Sequence, residues 1–109
     1  MKIIISGKDK LITAIPAGEL DHHAAKQIRT KIDDEIMRSG AINLAFDLSK
    51  ISFMDSSGVG VIIGRYKKIS ALGGKVYLYG MNENVEKLCR MSGLDRLTVM
   101  VSDEYEEVF

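Results

Sequence analysis

INLAFDL, residues 42–48, is apolar at every position except Asn43 and Asp47. A run this short and this apolar reads as a strand covered on both faces, as inside a parallel sheet. The flanking segments agree. Upstream, Asp21 to Ser39 is predicted helical, because Ala25, Ile28, Ile32 and Ile36 recur at spacings of three and four. Lys26, Arg29, Asp33 and Asp34 fall elsewhere on that wheel, Asp21 is a natural N-cap, and Gly40 supplies a left-handed stop. Downstream, residues 57–72 predict a second helix, with Ser56 as N-cap and Gly73 and Gly74 closing it.

Working outward, Lys75 to Tyr79 reads as a strand. Glu83 to Ser92 is a short helix capped by Asn82 and stopped by Gly93, and Leu97 to Val101 a last strand. At the start, Lys2 to Ser6 and Leu11 to Ile15 are isoleucine-rich strands joined by GKDK as a hairpin turn, and Pro16 ends the second. The tail EYEEVF is expected to add a turn of helix. The order ββαβαβαβ(α) is an α/β pattern. Strands separated by helices imply right-handed crossovers and a mixed, mostly parallel sheet, with the first strand antiparallel. One domain spanning residues 1–109 is expected.

In such a sheet, every loop running from a parallel strand into a helix emerges on the same edge, where open α/β folds place their sites. Gly18–His22, Ser49–Ser56 and Gly80–Asn82 should therefore be neighbours in space. The middle loop ends in DSSG, residues 55–58. Read plainly, that tetrapeptide supplies cap oxygens worth about 1 kcal/mol, with Asp55 near the positive end of the helix dipole. The helix beyond it strains the plain reading. Val59, Ile62, Ile63, Tyr66 and Ile69 share one face, the expected core side. Gly60, Gly64 and Ala71 fall opposite, flanked by Val61, Lys67 and Lys68. Each glycine in an exposed helix interior costs about 1 kcal/mol relative to alanine. Two of them make a smooth strip that admits another backbone, either a partner's or a neighbouring element of the same domain.

Composition narrows the function classes. Apolar content of 46% and charged content of 28% are those of an ordinary globular domain. Fifteen basic and fifteen acidic side chains cancel, so neither a nucleic-acid groove nor a membrane surface is indicated. Cys89, the single cysteine, has no internal disulfide partner and shares a face with Val85, Leu88 and Ser92, as a small core residue would. The opening MKIIISGKDK is too short an apolar run for a signal peptide, and no stretch approaches the roughly 18 apolar residues of a membrane span. A cytoplasmic location is the default expectation.

Chemistry in the serines themselves has two routes. A nucleophilic serine needs a base, yet the pattern is DSSG and not GxSxG, and the only histidines, His22 and His23, precede it. A small serine-dependent hydrolase using either histidine stays open as the reading of another class. Consecutive histidines on a helix point about 100° apart, poor geometry for one metal, so no metal and no cofactor are implied. The second route is that Ser56 receives a phosphate from another protein.

FMDSSGVGVIIGRYK (53–67), with GELDHH (18–23) and MSGL (91–94), resembles the STAS family, and within it the sporulation anti-sigma factor antagonists. The resemblance runs from about Gly18 to Leu97; Pro16 interrupts the run before GELDHH, and both terminal segments match poorly. It implies a STAS fold, and a first motif serine, here Ser56, phosphorylated by an anti-sigma factor that is itself a serine kinase. A dedicated serine phosphatase reverses the step. A general-stress or stressosome regulator with a different kinase is the alternative within the family.

Several side chains are expected to meet the partner: Asp21, Asp55, Ser57, Gly58, Gly60, Val61, Gly64, Lys67, Lys68 and Met81. For Asp21 a plain cap is the competing role, and for Met81 core packing is. Met54 is expected in the core, and Arg65, Lys67 and Lys68 in solvent beside the glycine strip.

Overall fold

The computed structural model describes residues 1–6 and 9–101. The expected turn of helix in EYEEVF lies outside them, as do the first two residues of the expected GKDK turn. In chain order the elements are β1 (Lys2–Ser6), β2 (Leu11–Ile15), β3 (Gly18–Leu20), α1 (His22–Ser39), β4 (Asn43–Asp47), β5 (Ile51–Met54) and α2 (Ser56–Ala71). They continue with β6 (Val76–Tyr79), α3 (Glu83–Met91), α4 (Leu94–Leu97) and β7 (Val99–Val101). Five strands form one sheet in the order β1-β2-β4-β6-β7. Only the β1–β2 pair is antiparallel, as the short spacer between them requires; the crossovers make the rest parallel.

The core is one cluster on one side of this sheet. Ile12, Ala14, Leu44, Phe46 and Leu78 alternate inward from the strands and meet Ile28, Ile32, Ile62, Ile69, Val85, Cys89 and Leu94 from the four helices. The α1 stripe is the expected one, Ala25, Ile28, Ile32 and Ile36. Cys89 is fully buried, and burial pushes its thiol up to about 11. The centre of β4 is covered on both faces as expected: Leu44 and Phe46 are buried on the core side and Ala45 on the other. Around Ala45 the half-buried Thr13, Asn43, Tyr77 and Val101 line an open depression of about 670 Å³.

Two strands and one helix were not foreseen. Gly18–Leu20 and Ile51–Met54, expected as loop, pair in parallel as a separate two-stranded sheet. Its register runs Gly18↔Ile51, Glu19↔Phe53, Leu20↔Met54, so Ser52 is an extra residue, a bulge in β5. α4 occupies the start of what reads in the sequence as the last strand, shortening that strand to Val99–Val101. At the far end of α2, a Cβ on Gly74 would collide with the carbonyl oxygen of Ile42, so only glycine lets that turn sit against the entry to β4.

Candidate functional site

The small β3–β5 sheet brings the expected loops together. Leu20 and Met54 are cross-strand partners, and the Asp55 backbone N–H donates to the Leu20 carbonyl at 3.4 Å. The side chain of Asn82 ties in the third loop, its Nδ2 donating to the Ile51 carbonyl at 3.2 Å while its Oδ1 caps α3 at Val85 N. Asp21 and Asp55 thus stand side by side, each capping a helix that starts at this edge. Asp21 Oδ1 accepts from His23 N and Ala24 N, both at 3.0 Å, and Asp55 Oδ1 accepts from Ser57 N at 2.8 Å.

This moves the cap by one residue from its expected place. Asp55, in extended backbone, is the N-cap of α2, and Ser56 is the first residue of the helix. Asp-Ser-Ser offers three side-chain oxygens in succession, and the ionised one makes the stronger bond to a backbone N–H at the positive end of the dipole. Ser56 is consequently released from capping. Its side chain is exposed at the start of α2, where the first N–H groups of a helix have no intrahelical partner.

The buried arc of α2 is rotated from the expected one. It comprises Gly58, Val59, Val61, Ile62, Arg65 and Ile69, while Ile63 and Tyr66 are only half-buried. Three expectations are corrected by this. Val61 is only 3% exposed and packs in the core, so it does not flank an accessible strip. Gly58 is buried where a Cβ would collide with Met54 and lie 2.9 Å from Leu20 Cγ, so its lack of a side chain serves close packing. Arg65, expected in solvent, is 5% exposed, with its Nε 2.9 Å from Asp33 Oδ1; Lys68 Nζ takes the other carboxylate oxygen at 2.9 Å. The Arg65 contact lies outside hydrogen-bond geometry, so Nε and Nη1 are buried without a directional partner among the described residues. Burial lowers the Arg65 pKa, Asp33 raises it, and Arg29 lowers it further.

What remains accessible is narrower and better defined. Gly60, Lys67 and Lys68 are exposed, and Gly64, Ser57, Asp21, Asp55 and Met81 are half-buried. Met81 also packs against the core, and Met54 is buried as expected. At both Gly60 and Gly64 an added Cβ would meet nothing within 4 Å, so no element of the domain needs the missing side chains. Phe53, which sequence reasoning passed over, is half exposed on β5 three residues before Ser56. His22 and His23 are exposed in the first turn of α1, their rings edge-on at 6.0 Å, and neither makes a hydrogen bond to Ser56 among the described residues. Among those residues no cluster of three metal-ligating side chains occurs, and no helix is long and apolar enough to cross a membrane.

The STAS domain family matches residues 3–107. An anti-sigma F factor antagonist of Paenibacillus polymyxa is 40% identical over 88 residues, 81% of this chain and 75% of that protein. The structure of the anti-sigma factor antagonist SpoIIAA in its unphosphorylated form aligns with a TM-score of 0.74 at 29% identity, covering 98% of this chain and 92% of that one. The Bacillus cell fate determinant SpoIIAA in its phosphorylated form aligns with a TM-score of 0.73 at 30% identity, covering 96% and 94%. A match over nearly the whole chain, with these relatives, places it: the chain belongs to the STAS domain family and, within it, to the anti-sigma factor antagonists.

Proposed function

We propose that the unphosphorylated protein binds an anti-sigma factor that is also a serine kinase, that this releases a sigma factor, and that phosphate on Ser56 ends the binding. The single observation carrying this reading is the position of Ser56, exposed at the start of α2 with capping taken over by Asp55. A serine phosphatase resets the switch. The protein is a substrate and not a catalyst, works as one domain in the cytoplasm, and needs no cofactor. Its contact surface comprises Asp21, Asp55, Ser57, Gly60, Gly64, Lys67, Lys68 and Met81. A relative, SpoIIAA, has been solved in both unphosphorylated and phosphorylated forms, which supports a phosphorylation switch in this fold.

The test is incubation with candidate anti-sigma kinases and ATP, followed by peptide mass mapping. Phosphate is expected on Ser56 alone; transfer to Ser57, or none with any such kinase, overturns the reading.

The glycine strip makes a second, separable prediction. Gly60→Ala places a methyl group in open space on a regular helix, so the domain should gain about 0.5–1 kcal/mol of stability. The same methyl group holds a partner backbone off the strip, and affinity for the anti-sigma factor should fall about tenfold, or roughly 1.4 kcal/mol. Unchanged affinity in a titration would remove Gly60 from the contact surface.

A further inference from the structure

We infer that Phe53 is the aromatic anchor by which the anti-sigma factor kinase holds this chain, a role that rests on the proposed function and adds an affinity element distinct from the serine switch. The inference starts from the bulge. In a regular strand side chains alternate, so with Ile51 buried, Phe53 would also point inward and Met54 outward. The extra residue at Ser52 reverses the parity. Ser52 and Phe53 are consecutive and exposed, and Met54 turns into the core at 6% exposure. Bulges recur beside functional sites because they re-aim a side chain, and here the one re-aimed outward is a phenylalanine at 50% exposure.

The domain leaves half of that side chain in solvent. The cross-strand neighbour of Phe53 is Glu19, itself exposed, and gives the ring no apolar cover. What the placement does supply is continuity with the switch. Three residues of extended chain span at most about 10 Å, so Phe53 and Ser56 fall under one partner surface of ordinary size. An aromatic ring is also the usual centre of binding energy in such a surface. The occupant is therefore a protein with an apolar pocket beside its phosphotransfer site. The division of labour is physical: the ring contributes affinity in the unmodified state, and the anion on Ser56 removes it.

Burying the exposed half of a phenylalanine corresponds to roughly 30-fold in affinity. The experiment compares wild type, Phe53→Ala and Phe53→Gln for binding to the anti-sigma factor and for phosphorylation kinetics, with thermal melts alongside. Both variants should bind about 30-fold more weakly and raise KM for phosphorylation by a similar factor, with kcat unchanged. Phe53→Gln keeps the length of the side chain, so agreement between the two separates lost apolarity from a disturbed bulge. Unchanged affinity and KM overturn the inference, as does an effect confined to dephosphorylation, which would assign the ring to the phosphatase. If wild type binds but is never phosphorylated, the switch reading fails while the affinity comparison still decides the role of Phe53.

Discussion

Phosphorylated protein should bind the anti-sigma factor at least about 100-fold more weakly than unmodified protein, with no loss of fold. Ser56→Asp, which carries a smaller charge and no phosphate bulk, should lose about tenfold, and Ser56→Ala should bind like wild type while refusing phosphate. The fold is expected to tolerate the anion because of where it lands. Ser56 is exposed at the first position of α2, and the two cap carboxylates at this edge, Asp55 and Asp21, are already committed to backbone N–H groups at 2.8 to 3.0 Å. Attraction to the helix end is worth about 0.3–1 kcal/mol in an exposed position. A carboxylate–phosphate contact at 4 Å would cost on the order of 4 kcal/mol at an effective dielectric of 20. Repulsion wins that comparison, so the phosphate turns away from Asp55 and Asp21 and into solvent.

Solvent on that side is where the proposed contact surface places the partner. An ion buried against a surface that does not neutralise it costs several kcal/mol, and each 1.4 kcal/mol is a factor of ten. Ser57→Ala, at a half-buried contact position, should lose some affinity yet still switch, with phosphate on Ser56 lowering its binding by the same factor as in wild type. Calorimetric titration of the five proteins, with matched melting curves, measures all of this. Equal affinity of the phosphorylated and unmodified forms ends the switch reading.

Much of this site was readable before any coordinates, and what was not has definite causes. α1 was legible end to end, since a 3.6-residue apolar period and both caps, Asp21 and Gly40, all speak for the same boundaries. The convergence of the three loops followed from strand–helix alternation alone. β3 and β5 escaped because they are three and four residues long and the bulge at Ser52 destroys the alternation that marks a strand. The buried face of α2 was misjudged because Val59, Val61, Ile62 and Ile63 cover the wheel too evenly to choose a side. The choice is made by Arg65 meeting Asp33 on a different helix, a contact across 32 residues that no local pattern encodes. Gly58 has the same explanation: its neighbours Leu20 and Met54 are brought to it by the unforeseen small sheet.

That Arg65–Asp33 contact yields the largest expected effect on stability, and the effect should be asymmetric. Asp33→Ala leaves a guanidinium that is 5% exposed without its anion, removes the partner of Lys68 Nζ, and leaves Arg29 as a like charge nearby. Breaking a buried pair from one side typically costs about 3–5 kcal/mol, a large share of the roughly 5–15 kcal/mol that holds a domain of this size together. Arg65→Met is the milder change. It exchanges the desolvated cation for an apolar side chain of similar reach, and Asp33, whose side chain is 21% exposed, keeps Lys68. Replacing a buried ion by a packed apolar group is often neutral, so a shift within about 1.5 kcal/mol of wild type is expected. The poor angle of the Arg65 contact, which leaves Nε and Nη1 without directional partners, weakens the favourable side of the balance further. Adding Arg65→Met to Asp33→Ala should then recover most of the loss. Urea denaturation of the two single variants and the double variant measures the cycle, and equal losses from the two single substitutions would show that the pair acts as a balanced bond. Because Arg65 faces Asp33 and not the exposed glycine strip, Arg65→Met should leave affinity for the anti-sigma factor at the wild-type value, which separates what holds α2 in place from what α2 presents.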